Sequence, residues 1–313
     1  MKVLVTGGTG YLGSAIVRSL ARRGHTPIVF ARGATAADLP GTAIDGDVRD
    51  RRSVLRAATG VDAVCHTAAL VSLWRRDPGE FDAVNVGGLE AMLDVCRELG
   101  VPRIVCTSSF LALPPAGAAR ALEANDYQRT KVRAREVTRA AAARGAPIVT
   151  LFPGVVYGPG PRTEGNLIGR LVTDHLAGRL PGVIGAERIW SYAFVDDVAA
   201  GHVSAIERGR SGTEYVLGGE NATQARLFDL VSARTGVRPP RRIPYAAATA
   251  AAIVEELRAR VTGRPPQLTR GAVEIFRHDW ALDSSRTISE LSYRVTALAD
   301  GVQTVVQGLL RGV

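Results

Sequence analysis

Lysine is nearly absent from this chain of 313 residues: among 39 basic residues only Lys2 and Lys131 are lysines. Arginine supplies positive charge everywhere else, so Lys131 asks for a chemical reason. Cysteine is scarce as well. Cys65, Cys96 and Cys106 are odd in number and lie in apolar segments, which excludes a disulfide framework and suits reduced, buried thiols. The five histidines are scattered and no Cys/His pair shows ligand spacing, so no metal site is expected. Long apolar runs are missing; the alanine-rich stretch from Ala246 to Val254 is far short of the ~20 residues of a membrane span. Runs of like charge are missing too. The net charge of +9 is spread through helical segments, which reads as solvated surface with some help to an anionic cofactor, not as a nucleic-acid interface. With 46% hydrophobic and 22% charged residues, the chain is an ordinary globular one with ample material for a core.

What is present begins at once. Met1 to Thr6 reads as a short apolar strand that runs into Gly7-Gly8-Thr9-Gly10-Tyr11-Leu12-Gly13, and a periodic helix from Ser14 to Arg22 ends at Gly24. Strand, glycine turn and helix in this order form a dinucleotide-binding fingerprint. Glycines at 7, 10 and 13 allow a tight turn, close approach of backbone N–H groups to a pyrophosphate, and close helix–strand packing. The phosphates would sit at the positive end of the helix. Further strands are expected at 27–31, 43–46, 61–66, 102–107 and 147–152, with helices between them, notably 80–99 and 127–144. This alternation predicts an α/β, Rossmann-type, doubly wound parallel sheet over residues 1–153. Past Pro153 short strands, isolated helices and proline breaks predict a smaller α/β substrate-binding and lid region over 154–313, some of which could return to the first domain. The first strand starts at residue 2, so no signal or transit peptide is expected ahead of it and the cytoplasm is the expected location.

Lys131 follows Tyr127 by four residues, and residues so spaced share a helix face. An ammonium beside the ring is expected to favour the phenolate and to lower the tyrosine pKa from about 10 toward working pH. A tyrosine so tuned is a general acid/base. The Tyr-x-x-x-Lys spacing alone is a weak signal, and it gains weight from the glycine turn.

Together these motifs resemble the extended branch of the short-chain dehydrogenase/reductase superfamily over nearly the whole chain. Thr6 to Gly13 is similar to its TGxxGxxG turn, Gly46-Asp47-Val48-Arg49-Asp50 to its adenine-contacting strand end, and His66-Thr67-Ala68-Ala69 to its HxAA segment. Asn85-Val86-Gly87-Gly88 resembles NVxG, and Thr107-Ser108-Ser109 the strand end with the catalytic hydroxyl. Pro153 to Gly160, Val195-Asp196-Asp197-Val198-Ala199 and Trp280 to Arg286 resemble PxxVYGPG, VDDVA and the late DSSK/R segment. Within the superfamily, 70–88 and the run around Val195 look most like dihydroflavonol-reductase-like and prenyl-alcohol dehydrogenase-like proteins.

The resemblance implies a catalytic set of Ser109, Tyr127, Lys131 and Asn85. Ser108 competes with Ser109, and Asn85 either anchors a water or turn near Lys131 or merely interrupts a helix. His66 is expected to be structural. The implied dinucleotide contacts are Gly7, Gly10, Tyr11, Leu12, Gly13, Arg32, Asp47, Val48, Thr67, Ala68, Ala69, Tyr127, Lys131, Pro153 and Val156. No acid lies between His25 and Asp38, and Arg32 is available for a 2′-phosphate, so NADP(H) is preferred while NAD(H) stays open. In the nucleotide-sugar enzymes of this branch an arginine clamps the substrate diphosphate six residues before the first Asp of VDDVA. Here that position is Trp190, with Arg188 nearby as a substitute. An indole offers an apolar face and no fork for phosphate. With Val71, Trp74, Phe110 and Tyr192, Trp190 is expected to line a pocket for a small apolar carbonyl or alcohol. The competing readings are a nucleotide-sugar epimerase or dehydratase with tightly bound NAD, and a non-catalytic dinucleotide sensor. A homodimer is left open.

Overall fold

The structure, a computed structural model, describes residues 1–161 and 163–311. The six apolar runs of the first half form β1 (Lys2–Thr6), β2 (Thr26–Ala31), β3 (Thr42–Asp45), β4 (Ala63–His66), β5 (Ile104–Thr107) and β6 (Ile148–Pro153). Later strands are β7 (Val155–Tyr157), β8 (Val183–Ile184), β9 (Ile189–Phe194), β10 (Glu214–Leu217), β11 (Glu220–Thr223) and β12 (Arg242–Ile243). The first helices are α1 (Tyr11–Arg22), α2 (Arg51–Ala58), α3 (Gly79–Asp82), α4 (Gly88–Glu98), α5 (Asp126–Ala143) and α6 (Leu167–Leu176). The others are α7 (Val195–Arg208), α8 (Gln224–Thr235), α9 (Tyr245–Thr262), α10 (Arg270–Ile275), α11 (Ser285–Leu291) and α12 (Leu298–Arg311).

A seven-stranded parallel sheet runs in the order β10-β6-β5-β4-β1-β2-β3. Strand order reverses between β1 and β4, and in such sheets ligands bind beyond the carboxyl ends of the strands at that reversal. β4 and β6 are buried at every position, as helices on both faces require. One face is sealed by α1 and α7 through Ile16, Val17, Leu20, Val198 and Val203, and the other by α2, α4 and α5 through Val54, Leu89, Met92 and Ala134.

Two expectations change in detail. The helix expected over 80–99 is broken into α3, a π-helical turn at Ala83–Gly87, and α4. Asn85 sits in that turn and bonds outside the helix, which accounts for the local widening. The seventh strand of the main sheet, β10, comes from the C-terminal half and pairs with β6 from Glu214↔Thr150 to Leu217↔Pro153. Residue 153 is therefore a change in sequence pattern, while α7 and β10 pack with the first domain. α11 packs with them through Leu291, and most of the remaining C-terminal elements form a second layer from the sheets β11-β9-β7 and β12-β8, around Tyr157, Trp190, Tyr192, Phe228 and Trp280.

Candidate active site

The glycine turn is closed by backbone contacts that no side chain could share. Gly7 has φ +68°, and a Cβ there would lie 2.8 Å from Ala68 Cα; a Cβ on Gly13 would lie 2.1 Å from the Gly7 carbonyl oxygen. Gly10 caps α1 without any side-chain hydrogen bond, so the first-turn N–H groups of Tyr11 and Leu12 carry no side-chain cap and face the sheet's carboxyl edge. That is the cradle an anionic pyrophosphate fits. Tyr11 serves it through backbone only: its ring is buried and its hydroxyl donates to the Gly158 carbonyl at 3.1 Å. Next door, the Thr67 hydroxyl donates to the Thr6 carbonyl at 2.6 Å, and the Ala68 N–H donates to Thr6 Oγ1 at 3.3 Å. Those two bonds hold 67–69 against Gly7. Thr6 Oγ1 also lies 2.9 Å from His66 Nδ1, which gives His66 its structural role.

At the far end of the cradle Arg32 is exposed at the tip of β2. Asp47 is held by Arg49, with bonds of 3.0 and 2.6 Å to its two carboxylate oxygens, which keeps its pKa below the ordinary value. Val48 is buried against Gly88. Pro153 ends β6 in the core, and Val156 on β7 is half-buried against the α1–α7 face.

The candidate reactive residues converge beside this cradle. Asn125 caps α5 by accepting the Gln128 N–H at 2.8 Å. The buried Gln128 then donates to the Leu111 carbonyl at 3.1 Å and accepts the Ala124 N–H at 3.1 Å, fixing the first turn of α5 and Tyr127 with it. Ser109 caps a short 3-10 turn, Phe110–Ala112, by accepting the Leu111 N–H at 3.2 Å, so its hydroxyl proton stays free to donate. Its contact with the phenol favours the phenolate, but burial dominates and pushes Tyr127 up to about 12. The expected lowering of this pKa is thus corrected: Lys131 Nζ lies 5.8 Å from the Tyr127 ring centroid and donates to the Thr107 carbonyl at 3.4 Å. Burial lowers the Lys131 pKa as well. Desolvation disfavours the charged form of both groups. Ser108 Oγ, by contrast, has no hydrogen-bond partner among the described residues and lines a small cavity together with Lys131.

Asn85 resolves into an anchor. Its Oδ1 accepts the Leu70 N–H at 2.7 Å, and its Nδ2 donates to the Leu70 carbonyl at 3.2 Å and to Thr130 Oγ1 at 3.0 Å. The loop after β4 is thereby tied to α5 one residue before Lys131. Sequence reasoning missed His202. Its Nδ1 donates to the Val198 carbonyl at 2.8 Å, so Nε2 must accept from the Thr107 hydroxyl, 2.9 Å away. Burial lowers its pKa to about 4 and keeps it neutral. The clue was a histidine one turn after VDDVA, which has no meaning until α7 is seen to cross β5.

The residues expected to line a substrate pocket divide. Val71 and Trp74 are half-buried on the loop after β4. Phe110 and Leu111 follow Ser109 and belong to the apolar cluster of the C-terminal layer, against which Leu122, Ala124 and Tyr127 also pack. Trp190 and Tyr192 are a correction: they are core residues, 2% and 0% exposed. The indole stacks on Phe276 at 4.8 Å and tilts against Phe110 at 6.2 Å, because a large aromatic face gains most by covering other rings. It stands behind Phe110 and does not form an open wall. Arg188 precedes β9 and its guanidinium turns to Asp279 at 3.5 Å and Glu187 at 3.9 Å.

A sequence-family model described as the NAD dependent epimerase/dehydratase family matches residues 3–218. A protein named sterol demethylase protein B from Methylococcus capsulatus is 32% identical, with 96% of this chain and 97% of that protein covered. A putative dihydroflavonol 4-reductase from Synechocystis is 30% identical over 95% and 92% of the two chains. A 2-alkyl-3-oxoalkanoate reductase from Stenotrophomonas maltophilia is 32% identical over 88% of each. The fold is that of a UDP-glucuronic acid 4-epimerase from Bacillus cereus solved with NAD and UDP-4-deoxy-4-fluoro-glucuronic acid, with TM-score 0.79, 18% identity and 100% of both chains covered. With this sheet order and glycine cradle, the chain belongs to the NAD-dependent epimerase/dehydratase family, the extended short-chain dehydrogenase/reductases.

Proposed function

We propose that this oxidoreductase interconverts an apolar ketone or aldehyde and its alcohol, with NADP(H) preferred over NAD(H). The reading rests on one observation: Ser109 and Tyr127 meet at the carboxyl edge of the sheet, with Lys131 beside them, and Tyr127 packs against an apolar cluster that includes Phe110 and Leu111. When bound, the reduced dinucleotide supplies a hydride to the carbonyl carbon. The Ser109 hydroxyl holds the substrate oxygen and shares its developing charge. Tyr127, kept neutral by burial, gives its phenolic proton to that oxygen and takes it back in the reverse direction. Lys131, 5.8 Å from the ring centroid, would steady the phenolate that forms and would hold the ribose hydroxyls of a bound dinucleotide. Thr107 and His202 position it from behind. Gly7, Gly10 and Gly13 would hold the pyrophosphate, and Arg32 the 2′-phosphate.

The names of two relatives, a dihydroflavonol reductase and an alkyl oxoalkanoate reductase, support an apolar carbonyl substrate. A Trp in place of the diphosphate clamp speaks against a nucleotide sugar. The test is NADPH consumption against a panel of alkyl, aryl, steroid and flavonoid ketones, run beside UDP- and dTDP-sugars. Turnover of an apolar ketone with NADPH is expected. Turnover of a nucleotide sugar without added dinucleotide would overturn the proposal in favour of an epimerase, and dinucleotide binding without any turnover would favour a sensor.

A further inference from the structure

Helix α9 is apolar on two opposite sides. Its inner side, Ala248, Ala252 and Ala259, is buried, the first two packing with Ile184 and Val273. The outer side should then be polar, as on a surface helix, and it is not. Ile253 is 42% exposed, Val254 64%, Leu257 54% and Val261 87%. With about 100° per residue, these four and the exposed Ala246 and Ala250 fall in one arc of about 100°, opposite the buried alanines. The acids of the helix stand on its flanks and are engaged: Glu255 pairs with Arg258 at 2.7 Å and Glu256 with Arg270 at 2.9 Å. Around the apolar arc the remaining charge is positive. Arg241 and Arg242 precede the helix, Arg260 lies on it, Arg264 follows it, and Arg76 reaches its Gly263 cap. None of these five forms an ion pair among the described residues.

We propose that α9 is an interfacial helix that seats this protein on an anionic lipid surface. No described helix is long and apolar enough to cross a membrane. A helix lying in the interface needs only an apolar face at the acyl boundary and cations at headgroup level, and α9 offers both. Val254, Leu257 and Val261 enter the boundary, and Arg260 and Arg264 meet the phosphates. A second copy is the poorer occupant, because two such faces would bring arginine rim against arginine rim. The placement fits the site. The inner side of α9 shares a cluster with Phe276, which stacks on Trp190, which touches Phe110 beside Ser109. Arg76 at the other end lies two residues past Trp74. An apolar substrate would then be collected from the lipid that the helix touches; that link rests on the proposed function, whereas the surface itself does not.

The test is co-sedimentation of the full chain with phosphatidylcholine vesicles and with vesicles containing phosphatidylglycerol, at low and high salt, beside sedimentation velocity without lipid. Binding to the anionic vesicles that weakens with salt is expected. Replacing Val254, Leu257 and Val261 together by Ser should lower partitioning by about a hundredfold while leaving melting temperature and soluble-substrate turnover unchanged. Arg260→Gln with Arg264→Gln should lower it by roughly tenfold. Three results would overturn the proposal: no sedimentation with anionic vesicles at low salt; equal binding to both vesicle types with no effect of the arginine changes; or a dimer in solution that the serine variant dissolves, which would assign the face to a second copy. Failure to reduce any ketone while vesicle binding holds would strike the proposed function alone.

Discussion

The cradle at the switch point and the aromatic layer behind Phe110 are both closely packed, by opposite means. In the cradle, backbone lies on backbone: Gly7, Gly13 and Ala68 approach so closely that a single methyl group has no room. In the aromatic layer, Phe110, Trp190, Phe276 and Trp280 fill space with rings that can be exchanged for others of similar volume. The first arrangement has no room for an added atom; the second tolerates a change of ring shape as long as the volume is kept.

Four changes probe the comparison, in falling order of effect. Tyr127→Phe keeps the ring and removes the proton, so turnover should fall by about 10²- to 10⁴-fold while dinucleotide affinity stays nearly constant. Near-normal turnover, measured with dinucleotide affinity alongside, would remove Tyr127 from the mechanism. In the aromatic layer, Trp190→Ala should cost about 3–5 kcal/mol of stability by urea unfolding, and Trp190→Phe much less. A small loss for the alanine variant would mean that the indole is not packed as described. Back at the cradle, Arg32→Ala should weaken NADPH by about ten- to a hundredfold and leave NADH nearly unchanged, since only NADPH carries the 2′-phosphate. Equal losses for the two would show that Arg32 does not select the cofactor.

The smallest effect concerns the seam between halves. Burial acts to raise the Glu214 pKa, yet Arg135 and Arg139, at 2.7 and 2.8 Å, together hold it at about 2. An unfolded glutamate titrates near ~4.3, so this contribution is complete above that pH and is lost as pH falls toward 2. Arg139 is 58% exposed and screened by solvent, so Glu214→Gln should cost only about 1–2 kcal/mol at neutral pH. The variant should also lose less stability than the parent between pH 4 and 2, as thermal melts across that range would show. His202 adds to acid sensitivity in the same direction: its folded pKa of about 4 lies below the ordinary ~6.5, so its share is present above pH 6.5 and declines below it.

The strands, the glycine turn and the positions of Tyr127 and Lys131 were legible because each depends on local period or on backbone geometry that only glycine permits. The direction of the Tyr127 pKa was not, because spacing says that an ammonium is near and nothing of how much water has been removed. Asn85 could be placed but not assigned, since its partners Leu70 and Thr130 lie 15 and 45 residues away. Trp190 was judged by what an indole cannot do for phosphate, and its real setting depends on Phe276, far along the chain. His202 stood one turn after VDDVA, and that position acquired meaning only from its contact with Thr107, 95 residues away.

The return of the chain through α7 and β10 has a consequence for modularity. A fragment ending at residue 153 would leave β6 as an open sheet edge, with Leu151 and Phe152 deprived of Tyr215 and Val216 as their neighbours. Such an edge is a template for pairing with other chains. The C-terminal layer therefore cannot be detached or transplanted as a unit at that point, because the sheet it would leave behind is completed only by β10.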